Sequence, residues 1–203
     1  MKSIGERRKQ EIIKAFYSEA NKKGLENTSI AIVAERAGVN PSLIIHYFKS
    51  REGLLLSLVD YILERYLTIY HVKSTVDTKE KLVETIGNLF SRKWNRLFSD
   101  GVFYSCYAQI YQNKQFKLRF KELHDLLHEK LQKTLDEAVA HGVISVDNTS
   151  EMSEIIFALV DGAYYYLGMV DDKEAYSHRV AVYRQTALRL LKLDEFIAIP
   201  VKE

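Results

Sequence analysis

Within the twelve residues from Asn40 to Arg51 stand Ser42, His46 and Tyr47, which can hydrogen-bond or stack, and Lys49 and Arg51, which carry positive charge. Pro41, Leu43 and Ile45 lie between them as apolar contact groups. Nothing in the 203-residue chain has the pattern of a nucleophile elbow, a phosphate-binding glycine loop or a cysteine set for zinc. The chemistry on offer is recognition by contact, and no catalytic activity is expected.

Such side chains need a short, well-fixed element, and the flanking sequence supplies one. Thr28 is placed to cap a helix, its hydroxyl accepting from a free N–H of the first turn. Ile30, Val33, Ala34 and Ala37 then recur at helical spacing and give one apolar face. Gly38 stops that helix where a positive φ is required. Val39 drops into the cleft, Asn40 caps the next helix, and Pro41 takes its first turn, where no N–H is needed. Ile44 and Phe48, four residues apart, face inward, so Pro41, Ser42, Leu43, Ile45, His46 and Tyr47 are left to face elsewhere. This is the layout of a helix-turn-helix, which sets its second helix in the major groove of DNA. A purely structural helical hairpin is the competing reading. The agreement in spacing of Ala34, Gly38, Val39 and Ile44 favours DNA.

Three other candidate centres are present. His124 and His128 are four apart on one helix face with Asp125 and Glu129 alongside, a spacing that suits two metal ligands or an ordinary solvated face. No third ligand is evident, and no metal or other cofactor is expected. Cys106, the one cysteine, excludes an internal disulfide and reads as a small core residue. Asp161 stands in an apolar stretch. It could join a hydrogen-bonded network, pair across an interface, or face a cationic ligand among tyrosines, and the structural role is favoured over the ligand role.

Composition bounds the rest. Apolar residues make up 47% of the chain, so a folded core is affordable. There are only two prolines, which favours long helices over β-sandwiches. No apolar run reaches membrane-spanning length, and the first residues lack a signal-peptide core, so a cytoplasmic location is expected. The net charge is +2, yet residues 1–50 hold nine Lys/Arg against five acids, leaving −2 for the remainder. A basic front end suits phosphate contacts.

Helical periodicity predicts a first helix near Ser3–Lys23 and a fourth, capped by Ser50, from Arg51 to about Tyr70. Further helices follow at roughly Thr78–Ser99, Phe103–Gln112, Gln115–His141, Thr149–Val170 and Lys173–Leu193, with no strand. The expected fold is all-α, about nine helices, with a helix-turn-helix domain over 1–49 and a helical regulatory and dimerisation bundle over 50–203. The bundle is rich in aromatics. Trp94, Phe98, Phe103, Tyr104, Tyr107, Tyr111 and Tyr165, with Asp161, form a candidate ligand cavity, though ordinary packing explains any single ring. Ile155–Val170 is apolar almost all round, with Gly162 and Gly168 allowing close approach. With the last helix it looks like half of a four-helix dimer interface through Ile155, Leu159, Gly162, Tyr166, Tyr183, Ala187 and Leu190.

The run Thr28, Val33-Ala34, Ala37-Gly38-Val39-Asn40, Ile44, His46-Tyr47-Phe48, Lys49-Ser50-Arg51 and Leu54 resembles the TetR family of bacterial transcriptional regulators. The resemblance implies a homodimer with two helix-turn-helix heads on a palindromic double-stranded operator, most often a repressor released by a small-molecule inducer. The alternative is a DNA-binding regulator without such a ligand, controlled by a protein partner. Carried over by position, Pro41, Ser42, Leu43 and His46 would approach base edges. Thr28, Tyr47 and Arg51 would hold phosphates, with Lys49 beside them. Ser42 stands where the family often has glycine, Ile45 where it often has tyrosine, and Ala31 where it often has a basic or polar residue. Ile45 or Leu43 could instead meet a thymine methyl.

Overall fold

A computed structural model describes residues 3–69, 75–91, 99–193 and 195. Among them are nine α-helices and no strand: α1 Ile4–Lys23, α2 Ile30–Ala37, α3 Pro41–Phe48, α4 Arg51–Ile69, α5 Lys79–Leu89, α6 Asp100–Tyr107, α7 Lys114–Ala140, α8 Thr149–Leu167 and α9 Lys173–Leu190. A 3-10 turn, Ala108–Tyr111, links α6 to α7. None of these helices is long and apolar enough to cross a membrane. The chain divides into two compact units, Met1–Thr68 with Asn95–Leu123, and Ile69–Trp94 with His124–Glu203.

The first unit is built on α1. Ser3 caps it through a reciprocal capping box: its hydroxyl accepts from the Glu6 N–H at 3.1 Å, and the Glu6 carboxylate accepts from the Ser3 N–H at 2.6 Å. Ile12, Ile13, Phe16 and Ala20 are buried, and Gly24 ends the helix at φ 84°. Glu19, nearly buried, is neutralised by Lys23 at 3.2 Å and by Arg36 of α2 at 3.6 Å, tying the first two helices together. Leu54, Leu58, Val59 and Ile62 of α4 complete this core with Val102 and Cys106 of α6 and Phe116 and Phe120 of α7. Three polar contacts hold the later helices to the earlier ones. The Tyr17 hydroxyl accepts from the Ser99 N–H at 2.6 Å. Arg119 pairs with Asp60 at 3.1 Å, and the Asn113 amide donates to Glu52.

In the second unit Leu82 and Ile86 of α5, Leu131 and Leu135 of α7, Ile156, Phe157 and Val160 of α8, and Leu188 of α9 form the core. Asn148 and Asp172 cap α8 and α9 by accepting from Glu151 and Ala175 N–H groups. The Tyr164 hydroxyl reaches the Leu89 carbonyl at 3.1 Å and the Ser91 carbonyl at 3.0 Å.

The all-α architecture expected from periodicity is the one observed, with several shifted boundaries. The helix expected over Thr78–Ser99 ends at Leu89. Tyr164, remote in sequence, takes up carbonyls freed there. Asp100-Gly101, left between two of the expected helices, opens α6 behind Ser99. The helix expected over Phe103–Gln112 tightens to 3-10 from Ala108. Ser29, not Thr28, caps α2, accepting from the Ile32 N–H at 3.3 Å.

Candidate nucleic-acid interface

The turn between α2 and α3 follows from local chemistry. Gly38 adopts φ 63°, ψ 40°, and its N–H returns to the Ala34 and Glu35 carbonyls. Asn40 then accepts from the Ser42 N–H at 2.9 Å, and Pro41 occupies the first turn of α3. Ile44 and Phe48 are buried, so α3 is keyed into the first unit along one edge. Its other edge carries Pro41, Ser42, Ile45 and His46, all exposed, with Leu43 and Tyr47 half-buried. The Ser42 hydroxyl rests on the Asn40 carboxamide at 2.9 Å. His46 meets the Tyr47 ring edge-on at 5.5 Å.

The far end of α3 is more constrained. Lys49 takes φ 70°, rare for a residue with a Cβ, and its ammonium donates to the His46 carbonyl at 3.0 Å. The Ser50 hydroxyl accepts from the Gly53 N–H at 3.0 Å at the start of α4. The Phe48 carbonyl passes so near Gly53 that only glycine fits. A glycine in the first turn of a helix is the sequence signal for this close approach.

Two expected phosphate contacts are already engaged. Thr28 is only 1% exposed, and its hydroxyl donates to the Gly24 carbonyl at 2.8 Å. A hydroxyl turned into the fold is the reason the cap falls to Ser29. Arg51 donates to the Leu25 carbonyl at 3.0 Å, bracing the α1–α2 loop with one of its five N–H groups. Tyr47 carries Lys9 over its ring at 5.8 Å.

The expected ligand residues fall into separate groups. Phe103, Tyr104 and Tyr107 form an aromatic cluster in the first unit. Phe103 stacks on Tyr66 at 6.0 Å and on Tyr107 at 6.3 Å, and Phe120 meets Phe103 and Tyr107 edge-on. Tyr111 is 84% exposed and stands outside that cluster. Asp161 and Tyr165 belong to the second unit, where Tyr165 is 66% exposed. Trp94 and Phe98 lie outside the described residues. Asp161 is half-exposed, with Oδ2 3.4 Å from Nδ1 of His124. Loss of water around its carboxyl holds it above the ordinary carboxylate range, against the opposing pull of His124 and His128. Among the described residues no three His, Cys, Asp or Glu converge to hold a metal ion.

On α8, Ile155, Leu159, Gly162 and Tyr166 follow one another at four, three and four residues, a single helix face. Ile155, Gly162 and Tyr166 are exposed, Leu159 is half-buried, and nothing stands within 4 Å of where a Gly162 Cβ would be. On α9, Leu190 is exposed and Tyr183 half-buried, but Ala187 is fully buried within its own unit. Ala187 therefore belongs to the internal core and not to an outward contact face. Its position in the last turns of α9 gave no sign of which edge turned inward.

The sequence profile described as bacterial regulatory proteins, tetR family, matches residues 12–58, and the one described as tetracyclin repressor-like, C-terminal domain, matches residues 77–193. The chain belongs to the TetR family. The general function of that family is DNA-binding transcriptional regulation. Among TetR-family relatives, the HTH-type transcriptional regulator BetI of Proteus mirabilis is 40% identical over 55 residues, 27% of this chain and 28% of that protein. The chain thus matches little more than a quarter of the length of its curated relatives. Among solved structures, a TetR transcription regulator from Haloarcula marismortui superposes with a TM-score of 0.77 at 20% identity, covering 92% of this chain and 97% of that one. Salmonella enterica GusR gives 0.69 at 18%, covering 94% and 98%. At such identities the likeness speaks for the TetR-family fold.

Proposed function

We propose that this chain acts as a homodimeric repressor, with residues 1–49 as the DNA-binding head and 50–203 as the regulatory and dimerisation region. In this reading α3 enters the major groove of a palindromic operator, and a small molecule bound in the regulatory region releases it. The observation that carries the reading is the two-sided character of α3. Ile44 and Phe48 lock one edge into the core, while Pro41, Ser42 and His46 are held out to solvent between two left-handed residues, Gly38 and Lys49. A helix so fixed presents base-reading groups with little loss of freedom on binding. Phosphate contacts fall to Tyr47, Lys49 and the unused donors of Arg51, with the amino-terminal surplus of cations behind them.

The stripe Ile155, Leu159, Gly162 and Tyr166 supports a twin subunit, since two such faces bury apolar surface against each other and the open glycine allows close approach. The ring cluster Phe103, Tyr104 and Tyr107 of the first unit offers apolar chemistry for an inducer, and the Asp161 carboxyl of the second unit is a separate polar candidate. Release then requires that the inducer bind the DNA-incompetent arrangement more tightly than the competent one.

The test is selection of duplexes from a random pool by the purified chain, followed by titration of the enriched duplex. His46→Ala and Ser42→Ala are expected to weaken binding by about 1–3 kcal/mol and to relax the preference at single base pairs. An enriched duplex that both variants bind as tightly as the parent would overturn the assignment of α3. A chemical library added to the complex is expected to contain aromatic compounds that lower DNA affinity, and constant affinity throughout would remove the inducer.

A further inference from the structure

Lys9 lies on α1, outside the helix-turn-helix, yet its ammonium stands 5.8 Å from the centre of the Tyr47 ring on α3. The neighbouring charges are committed elsewhere. Arg8 is paired with Glu11 at 2.8 Å, and the Glu6 carboxylate is held on the Ser3 N–H at 2.6 Å. Among the described residues no carboxylate stands within ion-pair distance of Lys9, and the residue is exposed. It borders a groove of about 410 Å³ that also touches Glu6, Gln10, Tyr47, Phe48 and Gly53, so α1, α3 and α4 meet there.

We propose that Lys9 is a DNA contact that binds a backbone phosphate, its position set by the face of Tyr47. The inference rests on the reading of α3 as the groove-entering helix. Tyr47 sits in the last turn of α3, one residue beyond His46, and its ring touches both His46 and Lys9. A cation held on a ring is already partly ordered, so less freedom is lost when it meets an anion. An ammonium is a point charge with three rotating donors, which suits a phosphate oxygen and carries no base preference. The protein's footprint therefore extends from α3 onto α1, and Lys9 adds affinity without adding sequence specificity.

Fluorescence anisotropy on the enriched duplex and on a scrambled duplex, across a salt series, tests this. Lys9→Met keeps the stem on the ring and removes the charge. It is expected to weaken binding to both duplexes by the same factor, roughly three- to tenfold, and to flatten the slope of log K against log salt by about one per head. Lys9→Arg is expected to restore both. Thermal melting of each variant separates a lost contact from a lost fold, and Lys9→Gln serves if the methionine variant melts early. Unchanged affinity and slope in a Lys9→Met or Lys9→Gln protein of parental stability would overturn the proposal. So would a loss confined to the enriched duplex. His46→Ala, measured alongside, keeps the two claims apart. If it weakens binding and Lys9→Met does not, the phosphate contact fails alone. If neither variant matters, the placement of α3 fails with it.

Discussion

A Cβ added to Gly53 would lie 2.0 Å from the carbonyl oxygen of Phe48. The obstacle is backbone, so it cannot swing aside as a flexible side chain would. Gly53→Ala is expected to force α3 and α4 apart and to cost about 1–3 kcal/mol, as overpacking of fixed elements does. A lower urea midpoint, with weaker DNA binding in the same protein, would show it. A parental midpoint would mean that the turn has slack the close contact does not suggest.

Tyr17 and Ser99 offer a subtler test. The tyrosine hydroxyl is the acceptor for the Ser99 N–H, the first free donor ahead of α6. Tyr17→Phe keeps the ring and leaves that N–H without its partner. A loss of about 1–2 kcal/mol is expected, together with faster hydrogen exchange of the Ser99 amide. Exchange at the parental rate would indicate that water substitutes without cost.

Asp161 should leave a mark on the pH dependence of stability. Its ordinary value is 3.8, and desolvation raises the folded value above that, with His124 and His128 opposing. The folded state therefore holds the proton more tightly than the unfolded chain. The resulting stability is complete below pH 3.8 and is lost as the pH rises through the raised value. Asp161→Asn keeps the shape without the charge. It is expected to melt higher than the parent at pH 7 and to converge with it near pH 3.5. A parent that outlasts the variant at pH 7 would show that attraction to His124 outweighs the lost water.

Cys106 is buried, and burial pushes its thiol up to about 12. A thiol of that kind holds almost no thiolate at neutral pH. Alkylating reagents are expected to spare it in the native protein and to label it once urea unfolds the first unit. Rapid native labelling would point to opening of the α6 region well short of global unfolding.

Ile155 and Tyr166 are exposed apolar residues on the same face of α8. Ile155→Glu or Tyr166→Glu places a charge in the proposed twin interface. Light scattering is expected to show a shift from dimer to monomer, with operator affinity falling as the second head is lost. A variant that remains dimeric would move the contact to another face.

The α2–α3 turn was legible because its signals are local. Asn40, Pro41 and Gly38 each act on the turn of chain next to them, so spacing alone placed the start of α3 to the residue. Thr28 and Ser29 were harder, being two adjacent hydroxyls equally able to cap. What decides between them is burial of Thr28 against the Gly24 carbonyl, a tertiary fact. The end of α5 was illegible for the same reason, since Tyr164 lies 75 residues beyond the Leu89 carbonyl it reaches. The aromatic residues were recognised as a class but not as groups. Composition counts rings, and only the fold says that Phe103 and Tyr107 stack while Tyr111 stands in solvent.

Gly38 and Lys49 both turn the backbone left-handed, one on each side of the eight residues of α3. Such turns act as end-stops. One extra residue between them would rotate every side chain after it by about 100° relative to those before it, so the inward and outward edges would no longer line up along the helix. Under the proposed role of α3, a lineage carrying this protein would retune its target by swapping letters at 41, 42, 43 and 46. It has almost no room to do so by lengthening or shortening the word.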